Sequence, residues 1–279
     1  MKVLWVADFG LQHNIGGAQR TNDLIIQEGL RQGIEIEYFF HDSDPAILNQ
    51  NYDVLVSNNL ELIATNRIDV FNYIINHPYH VRYEHDSNSY LTTQARTMLF
   101  GSTKINIFLS EFHYRTFLKE YGDIFKNVEI VTSPVDTSVF YDMGNQREDK
   151  ILYIGFMHPL KGTTKFFEYV MMNPSKGFAM AAWGDPNLEF MAKSLKNIEW
   201  IGKVDHSEMP NLYNKYKTMF YHPKKFEPFC RSVGEAILCG MNLDASKNIG
   251  AIHDFYANGL DGLKKLCSES PKKFWALLK

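Results

Sequence analysis

The sequence contains little cysteine, and its cysteines are not arranged for disulfides or for metal. Three occur among 279 residues: Cys230, Cys239 and Cys267. They form no Cys-x-x-Cys pair and are odd in number, which argues against a disulfide framework and against a structural zinc site. This usage favours a reducing compartment, and we expect a cytoplasmic protein.

Long apolar runs and a strong net charge are also absent. The apolar run near the start of the sequence, residues 3–7, ends at Asp8. No stretch reaches the roughly 20 apolar residues that are needed to cross a bilayer. We interpret residues 3–7 as a buried first strand. The net charge of −3 provides no basic field, so nucleic acid is not the expected partner.

The sequence lacks the Gly-x-Gly-x-x-Gly motif of dinucleotide-binding dehydrogenases. Gly16 and Gly17 instead lie between the first strand and a helix predicted over residues 18–32. Paired glycines let a backbone approach a phosphate or a sugar closely, although an ordinary tight turn needs them as well. Gly16 and Gly17 are therefore candidate ligand-binding residues.

Strand and helix patterns alternate along a chain that is long enough for two domains. Its 279 residues are 45% hydrophobic and 14% aromatic, enough for two buried cores. Alternation predicts an α/β fold with parallel sheets that bind ligands beyond the carboxyl ends of their strands. Strands are predicted at 34–40, 54–57, 105–110, 128–131, 151–155, 178–183, 198–201 and 219–222, and a helix at 111–121. The polar run 142–150 predicts a linker, with the boundary near residue 141.

The last residues, 268–279, are too apolar to remain free in water. They include Phe274 and Trp275, and we expect them to form a helix that packs on a domain surface. The alternative is a peripheral membrane contact through Trp275 and the neighbouring lysines, because short basic and apolar segments also bind membrane surfaces.

Two patterns suggest metal, and neither is convincing. Asp42 and Asp44 form an Asp-x-Asp motif, but the proline after Asp44 is typical of a turn. His77, His80 and His85 lie near one another in sequence, yet His80 and His85 are an odd number of residues apart. On an extended segment they would point to opposite sides. We expect no metal site.

Residues 227–240 carry the strongest functional pattern. We predict a helix whose first turn contains Pro228 and whose apolar stripe faces a sheet. Glu235 is expected to point away from the core, and Glu227 to lie just ahead of the first turn. The N–H groups of residues 229–232 would favour a diphosphate.

A simpler interpretation of this stretch uses no ligand. Glu227 would stabilise the helix dipole, and Glu235 would pair with Arg231 one turn earlier, a contact that contributes about 0.3 kcal/mol. Residue types and spacing alone leave the two interpretations open.

The stretch resembles the donor-sugar signature of the retaining GT-B glycosyltransferases, especially family 4. Glu227 and Glu235 match its Glu-x7-Glu pattern, and Ala236 and Gly240 match the residues that follow. Residues 16–20, Gly-Gly-Ala-Gln-Arg, are similar to the Gly-Gly-Ala-Glu-Arg loop of the same family.

Residues 133–140 resemble the family's exit from its first domain. The resemblance implies a GT-B fold of two Rossmann-like domains whose parallel sheets face each other across a cleft. The acceptor-side domain would be 1–141 and the nucleotide-sugar domain 142–267. The tail, 268–279, would return toward the first domain.

The resemblance also implies residues that hold the donor's diphosphate. Residues 155–162 resemble the motif Gly-Arg-x4-Lys-Gly, so Lys161 would neutralise the diphosphate, as a compact point charge can. Phe156 stands at the position of the arginine, so this chain lacks the bidentate hydrogen-bond donor that the arginine provides. Cys230 stands where most relatives have glycine. We expect Arg231, in the first helical turn, to replace the missing arginine in part.

Other roles follow from the same resemblance. Glu227 would hold hydroxyls of the transferred sugar, and Glu235 would accept hydrogen bonds from the ribose. Val204 lies in a loop that would contact the nucleotide base. His85 would face the acceptor, where an imidazole can contact sugar hydroxyls or move protons near neutral pH.

The activity implied is a metal-independent transfer, with retained configuration, from a nucleotide sugar to an acceptor hydroxyl. A UDP- or GDP-sugar is the favoured donor, and a glycan or lipid-linked sugar the expected acceptor. No further cofactor is expected. Two alternatives stay open: a catalytically weakened nucleotide-sugar-binding protein, for which Phe156 is the main argument, and an epimerase of the same fold.

Overall fold

The structure, a computed structural model, describes residues 1–13, 16–87 and 91–279. The chain divides into two units: the first unit is Met1–Pro134 with Leu266–Lys279, and the second unit is Val135–Lys265. This division falls slightly earlier in the chain than the boundary expected near residue 141.

The first unit is built on a parallel sheet. In the described part of the chain its six strands lie in the order β2-β1-β3-β4-β5-β6. They are β1 (Lys2–Val6), β2 (Glu35–Phe39), β3 (Val54–Ser57), β4 (His80–Tyr83), β5 (Ile105–Phe108) and β6 (Val128–Ile130). The helices between them are α1 (Gly17–Arg31), α2 (Glu61–Asn66), α3 (Ile68–Asn76), α4 (Thr93–Ser102) and α5 (Glu111–Tyr121).

The second unit repeats this plan. Its five strands, again counted within the described residues, lie in the order β11-β10-β7-β8-β9, and all its pairings are parallel. They are β7 (Glu148–Met157), β8 (Gly177–Gly184), β9 (Ile198–Trp200), β10 (Tyr216–Tyr221) and β11 (Asn242–Ala245). The helices are α6 (Thr163–Met172), α7 (Pro186–Ser194), α8 (Met209–Lys215), α9 (Arg231–Leu238) and α10 (Gly250–Ala276), the last interrupted at Gly259. The residues of α10 from Leu266 onward belong to the first unit.

The central strands of both sheets are apolar and buried. Val3, Leu4 and Val6 of β1 have no solvent exposure, as expected of a parallel strand that is covered on both faces. The structure thus confirms the predicted α/β fold with parallel sheets. Two Rossmann-like domains facing across a cleft remain a prediction from the resemblance.

The C-terminal tail packs within the first unit. Trp275 is fully buried, and its indole N–H donates to the carbonyl oxygen of Ile25 at 2.7 Å. Its ring lies directly over Gly29, where any Cβ would collide with it. Trp275 is therefore not exposed for the membrane contact considered above. None of the helices in the described residues has both the length and the apolar character that crossing a bilayer requires.

The residues of the suggested metal patterns have other roles. Asp44 caps a short 3-10 helix, because its Oδ1 accepts from the N–H of Ala46 at 2.8 Å. His80 is fully buried, with Nε2 2.7 Å from Ser57 Oγ. Across residues 1–13, 16–87 and 91–279, no group of His, Cys, Asp and Glu is arranged to hold a metal ion.

Candidate functional site

Two of the predicted site residues meet at the carboxyl ends of β7 and β10, which are neighbours in the second sheet. Lys161 Nζ lies 2.7 Å from Glu227 Oε1, and the hydroxyl of Tyr221 donates to the same oxygen at 3.0 Å. Parallel α/β sheets bind ligands at this edge. A cation and a carboxylate, 44% and 15% exposed, are thus available together at the edge.

Gly162 brings the loop of Lys161 against the loop after β10. Its φ of +83° is in the left-handed region, and a Cβ there would lie 2.7 Å from the carbonyl carbon of His222. Only glycine permits this approach without strain. The same loop is held by Thr163, whose Oγ1 lies 2.7 Å from the hydroxyl of the buried Tyr153.

Backbone hydrogen bonds fix Glu227. Its N–H donates to the carbonyl oxygen of Asn248 at 2.8 Å, and its own carbonyl accepts from the N–H of Gly250 at 3.0 Å. The loop at residues 248–251 therefore holds the backbone of Glu227 in place.

The helix of the Glu-x7-Glu stretch starts later than predicted. α9 begins at Arg231, so the prediction of Pro228 in its first turn is wrong. The reason is Cys230, whose φ of +67° places it in the left-handed region and ends any continuous helix from residue 228. Glycine adopts this conformation without strain, whereas cysteine does not. Phe229 accordingly precedes the helix, and its N–H is not part of the helix start.

Glu235 is buried, which corrects the expectation that it points away from the core. It is 3% exposed. Its Oε1 accepts from Arg231 Nη2 at 3.2 Å and lies 3.3 Å from His206 Nε2, while its Oε2 accepts from the Tyr213 hydroxyl at 3.1 Å. Burial raises the pKa of Glu235, but the contacts with His206 and the charge of Arg231 outweigh it and leave the pKa below its ordinary value.

Sequence reasoning missed three members of this site: His206, Tyr213 and Tyr221. Tyr221 is the last residue of β10, so its position at a strand end was a usable signal. His206 lies two positions after the half-buried Val204, and its ring contacts Glu235. The loop that we predicted to contact the nucleotide base is thereby connected with Glu235.

Phe156 presents an aromatic side chain where the resemblance expects arginine. It is 47% exposed, its ring is stacked 6.2 Å from that of His158, and it lies 6.4 Å from the ring of Trp183. The guanidinium of Arg231 faces Glu235 instead, and its side chain is only 9% exposed. Partial replacement of the missing arginine by Arg231 stays a prediction.

The remaining predicted residues belong to the first unit. Gly16 is the N-cap of α1, and Gly17 is its first residue. Residues 14 and 15 of the same loop lie outside the described residues. Gly16, Gly17 and His85 are thus in the first unit, and the other predicted site residues are in the second.

His85 follows β4 and is 8% exposed. Neither ring nitrogen has a hydrogen-bond partner among the described residues. Burial, followed by the charges of Arg82 and His113, lowers the pKa of His85 to about 3. The imidazole is therefore neutral near pH 7, and the role of His85 toward the acceptor stays a prediction.

Buried histidines should make the first unit sensitive to acid. Burial lowers the pKa values of His80 and His113 to about 3, as for His85. The unfolded chain takes up these protons near pH 6.5, so stability is fully present above pH 6.5 and is lost as the pH falls toward 3. Each histidine contributes a loss of about 1.4 kcal/mol per pH unit. The raised pKa values of Asp8, Glu61 and Asp86 act in the opposite direction.

His80→Gln isolates one of these contributions. We expect the dependence of the unfolding free energy on pH, measured by urea denaturation between pH 4.5 and 6.5, to become flatter by about 1.4 kcal/mol per pH unit. Ser57→Ala is the matched control, because it removes the hydrogen bond to His80 and keeps the titrating imidazole. Equal slopes for wild type and His80→Gln would contradict this account.

Comparison with known proteins identifies the fold. No protein-family model matches the sequence, and no curated protein matches it. Sucrose-phosphate synthase from Thermosynechococcus elongatus superposes with a TM-score of 0.72 at 12% identity, over 99% of this chain and 94% of that one. The α/β fold with parallel sheets matches that of GT-B glycosyltransferases.

Two further GT-B structures agree. HepE from Anabaena, solved in complex with UDP and glucose, has a TM-score of 0.70 at 14% identity, over 98% of this chain and 94% of that one. WaaG, a glycosyltransferase involved in lipopolysaccharide biosynthesis, has a TM-score of 0.61 at 14% identity, over 98% and 90%. At such identities the likeness shows a shared fold, and a shared fold does not by itself imply a shared function.

Proposed function

We propose that the protein is a glycosyltransferase that moves a sugar from a nucleoside diphosphate to an acceptor hydroxyl, with retained configuration and without a metal ion. The observation that carries the proposal is the meeting of Lys161 and Glu227 at the carboxyl ends of β7 and β10. A donor sugar with a diphosphate offers hydroxyls to a carboxylate and negative charge to an ammonium group. Family 4 membership is part of this proposal.

Lys161 would stabilise the departing diphosphate. Charge develops on the diphosphate as its bond to the sugar breaks, and a positioned cation stabilises that charge without reorganisation. An ammonium group has three donors, so contact with Glu227 is compatible with contact to phosphate oxygens. The first turn of α9, at Cys230 and Arg231, would add its dipole.

Glu227 and Glu235 would grip the donor from two sides of its diphosphate. Among the described residues, both side-chain hydrogen bonds of Glu227 are to Oε1, and Oε2 would accept from sugar hydroxyls. A carboxylate offers about four acceptor positions. Three side chains contact Glu235, so it retains capacity for one ribose hydroxyl. Val204 would contact the nucleotide base of the donor.

A second candidate is a protein that binds nucleotide sugars and turns them over slowly or not at all. The exposed Phe156 favours it, because a phenyl ring supplies no charge to a leaving diphosphate. In the first candidate, His85 would contact the acceptor. The cytoplasmic location of the protein and any peripheral membrane contact stay predictions.

Donor hydrolysis separates the two candidates. The purified protein is incubated with UDP-, GDP- and ADP-sugars, with and without a chelator, and released nucleoside diphosphate is measured. We expect slow release from a UDP- or GDP-sugar that the chelator does not reduce, and NMR of a transfer product should give the donor's anomeric configuration. Binding without release supports the second candidate. The absence of both binding and release from every donor contradicts the proposal.

A further inference from the structure

Tyr221, the last residue of β10, contacts the carboxylate of Glu227. Its hydroxyl donates to Glu227 Oε1 at 3.0 Å, and the same oxygen accepts from Lys161 Nζ at 2.7 Å. We propose that Tyr221 is a positioning residue, which holds Glu227 with Oε2 available to the transferred sugar while Lys161 engages the diphosphate. The inference rests on the proposed function, because Tyr221 acts only through Glu227.

The two partners of Glu227 Oε1 differ in their freedom to move. Tyr221 is 5% exposed, whereas the side chain of Lys161 is 44% exposed. The ring of Tyr221 is carried by β10, which is paired with β7 on one side and with β11 on the other. Lysine places its ammonium group at the end of a flexible four-carbon chain. Tyr221 is thus the fixed partner of Glu227, and Lys161 is the partner that can turn toward a phosphate.

The direction of the hydrogen bond from Tyr221 is determined by its acceptor. An ionised carboxylate only accepts, so the tyrosine hydroxyl is the donor. Burial, followed by the proximity of Cys230 and Glu227, raises the pKa of Tyr221 well above its ordinary value. The hydroxyl therefore keeps its proton at neutral and moderately alkaline pH. Its hydrogen bond persists whether or not Lys161 stays on the same oxygen.

The side chain of Glu227 needs such a partner, because its backbone contacts do not orient the carboxylate. Asn248 and Gly250 hold only the main chain of Glu227. A glutamate side chain has three rotatable bonds, and fixing them costs conformational entropy. Among the described residues, Tyr221 and Lys161 are the side chains that hydrogen-bond to this carboxylate. When Lys161 turns to the diphosphate, Tyr221 remains to orient it.

The test compares the affinity of wild type and Tyr221→Phe for nucleotide sugars. Calorimetry measures Kd for UDP-glucose, GDP-mannose and ADP-glucose, and for UDP, GDP and ADP as probes that lack the sugar. For the donor that wild type binds, Tyr221→Phe should raise Kd about fivefold to tenfold, because a loosely held carboxylate forms weaker hydrogen bonds with the sugar. Kd for the matching nucleoside diphosphate should change less than twofold. Damage to the fold of the site would raise both values.

Glu227→Ala separates positioning from packing. In this background, Tyr221→Phe should change Kd for the nucleotide sugar less than twofold, because a residue that acts through a carboxylate has no effect once the carboxylate is absent. Equal effects of Tyr221→Phe in the two backgrounds would overturn the inference. An unchanged Kd for the nucleotide sugar in Tyr221→Phe alone would overturn it as well.

Tyr216→Phe is the matched control. It removes the hydroxyl of a fully buried tyrosine at the first residue of β10, about 17 Å from Tyr221 along the strand. Every Kd should be unchanged, and circular dichroism checks that each variant is folded. If wild type binds none of the three nucleotide sugars, the proposed function is refuted and the inference with it. If wild type binds one and Tyr221→Phe binds it equally well, the inference alone is refuted.

Discussion

Lys161→Met is expected to lower kcat/KM for the nucleotide sugar about 10²- to 10³-fold, the usual cost of removing one group that stabilises charge in the transition state. The larger part should appear in kcat, because the charge on the diphosphate develops as its bond breaks. Methionine keeps much of the length of the side chain and removes only the cation. Steady-state kinetics with the preferred donor measure the effect.

Lys165→Met provides the matched control. Lys165 lies one turn later, in α6, where its Nζ is 3.3 Å from His222 Nδ1. The change in net charge is the same, but the residue does not contact Glu227, so we expect less than a threefold effect. If both variants lost activity equally, the role of Lys161 would be a general charge effect. If neither did, the proposed diphosphate contact would be wrong.

Glu235→Ala is expected to lower the free energy of unfolding of the second unit by about 3–5 kcal/mol. It removes one partner of a buried ion pair and leaves the guanidinium of Arg231, 9% exposed, without this carboxylate. Glu235→Gln should cost less, because an amide still bonds to Tyr213. Urea denaturation followed by fluorescence measures both. Glu208→Ala, at an exposed carboxylate of the same unit, should change stability by less than about 0.5 kcal/mol.

The deficit of Glu235→Ala should also depend on pH. The folded-state pKa of Glu235 is below its ordinary value of 4.5, so the carboxylate contributes stability that is fully present above pH 4.5. That contribution is lost as the pH falls through the folded pKa. Wild type and Glu235→Ala should therefore converge below pH 4.5. A constant difference down to pH 3 would mean that the carboxylate's charge has no part in the stabilisation.

Local elements were readable from the sequence because local patterns determine them. The strand predicted over 54–57 and the helix predicted over 111–121 have the same bounds in the structure as β3 and α5. Hydrophobic runs and capping residues lie within these segments. In α5, for example, Ser110 accepts from the N–H of His113 at 3.1 Å.

The features that the sequence did not predict depend on distant residues or on backbone conformation. The later start of α9 follows from the positive φ of Cys230, which residue type does not indicate. The burial of Glu235 depends on Tyr213 and His206, which lie 22 and 29 residues earlier in the sequence. Lys161 was expected at a phosphate site by resemblance, but its contact with Glu227 follows from the adjacency of β7 and β10.

The placement of Trp275 also bears on the order of events during biosynthesis. The first unit starts at Met1, yet its α1 helix has Trp275 packed over Gly29. Until residue 275 has left the ribosome, that surface of α1 has no cover. The second unit is contiguous in sequence and can be complete earlier. The native packing of α1 should therefore be completed only after the second unit has been synthesised, when the tail emerges.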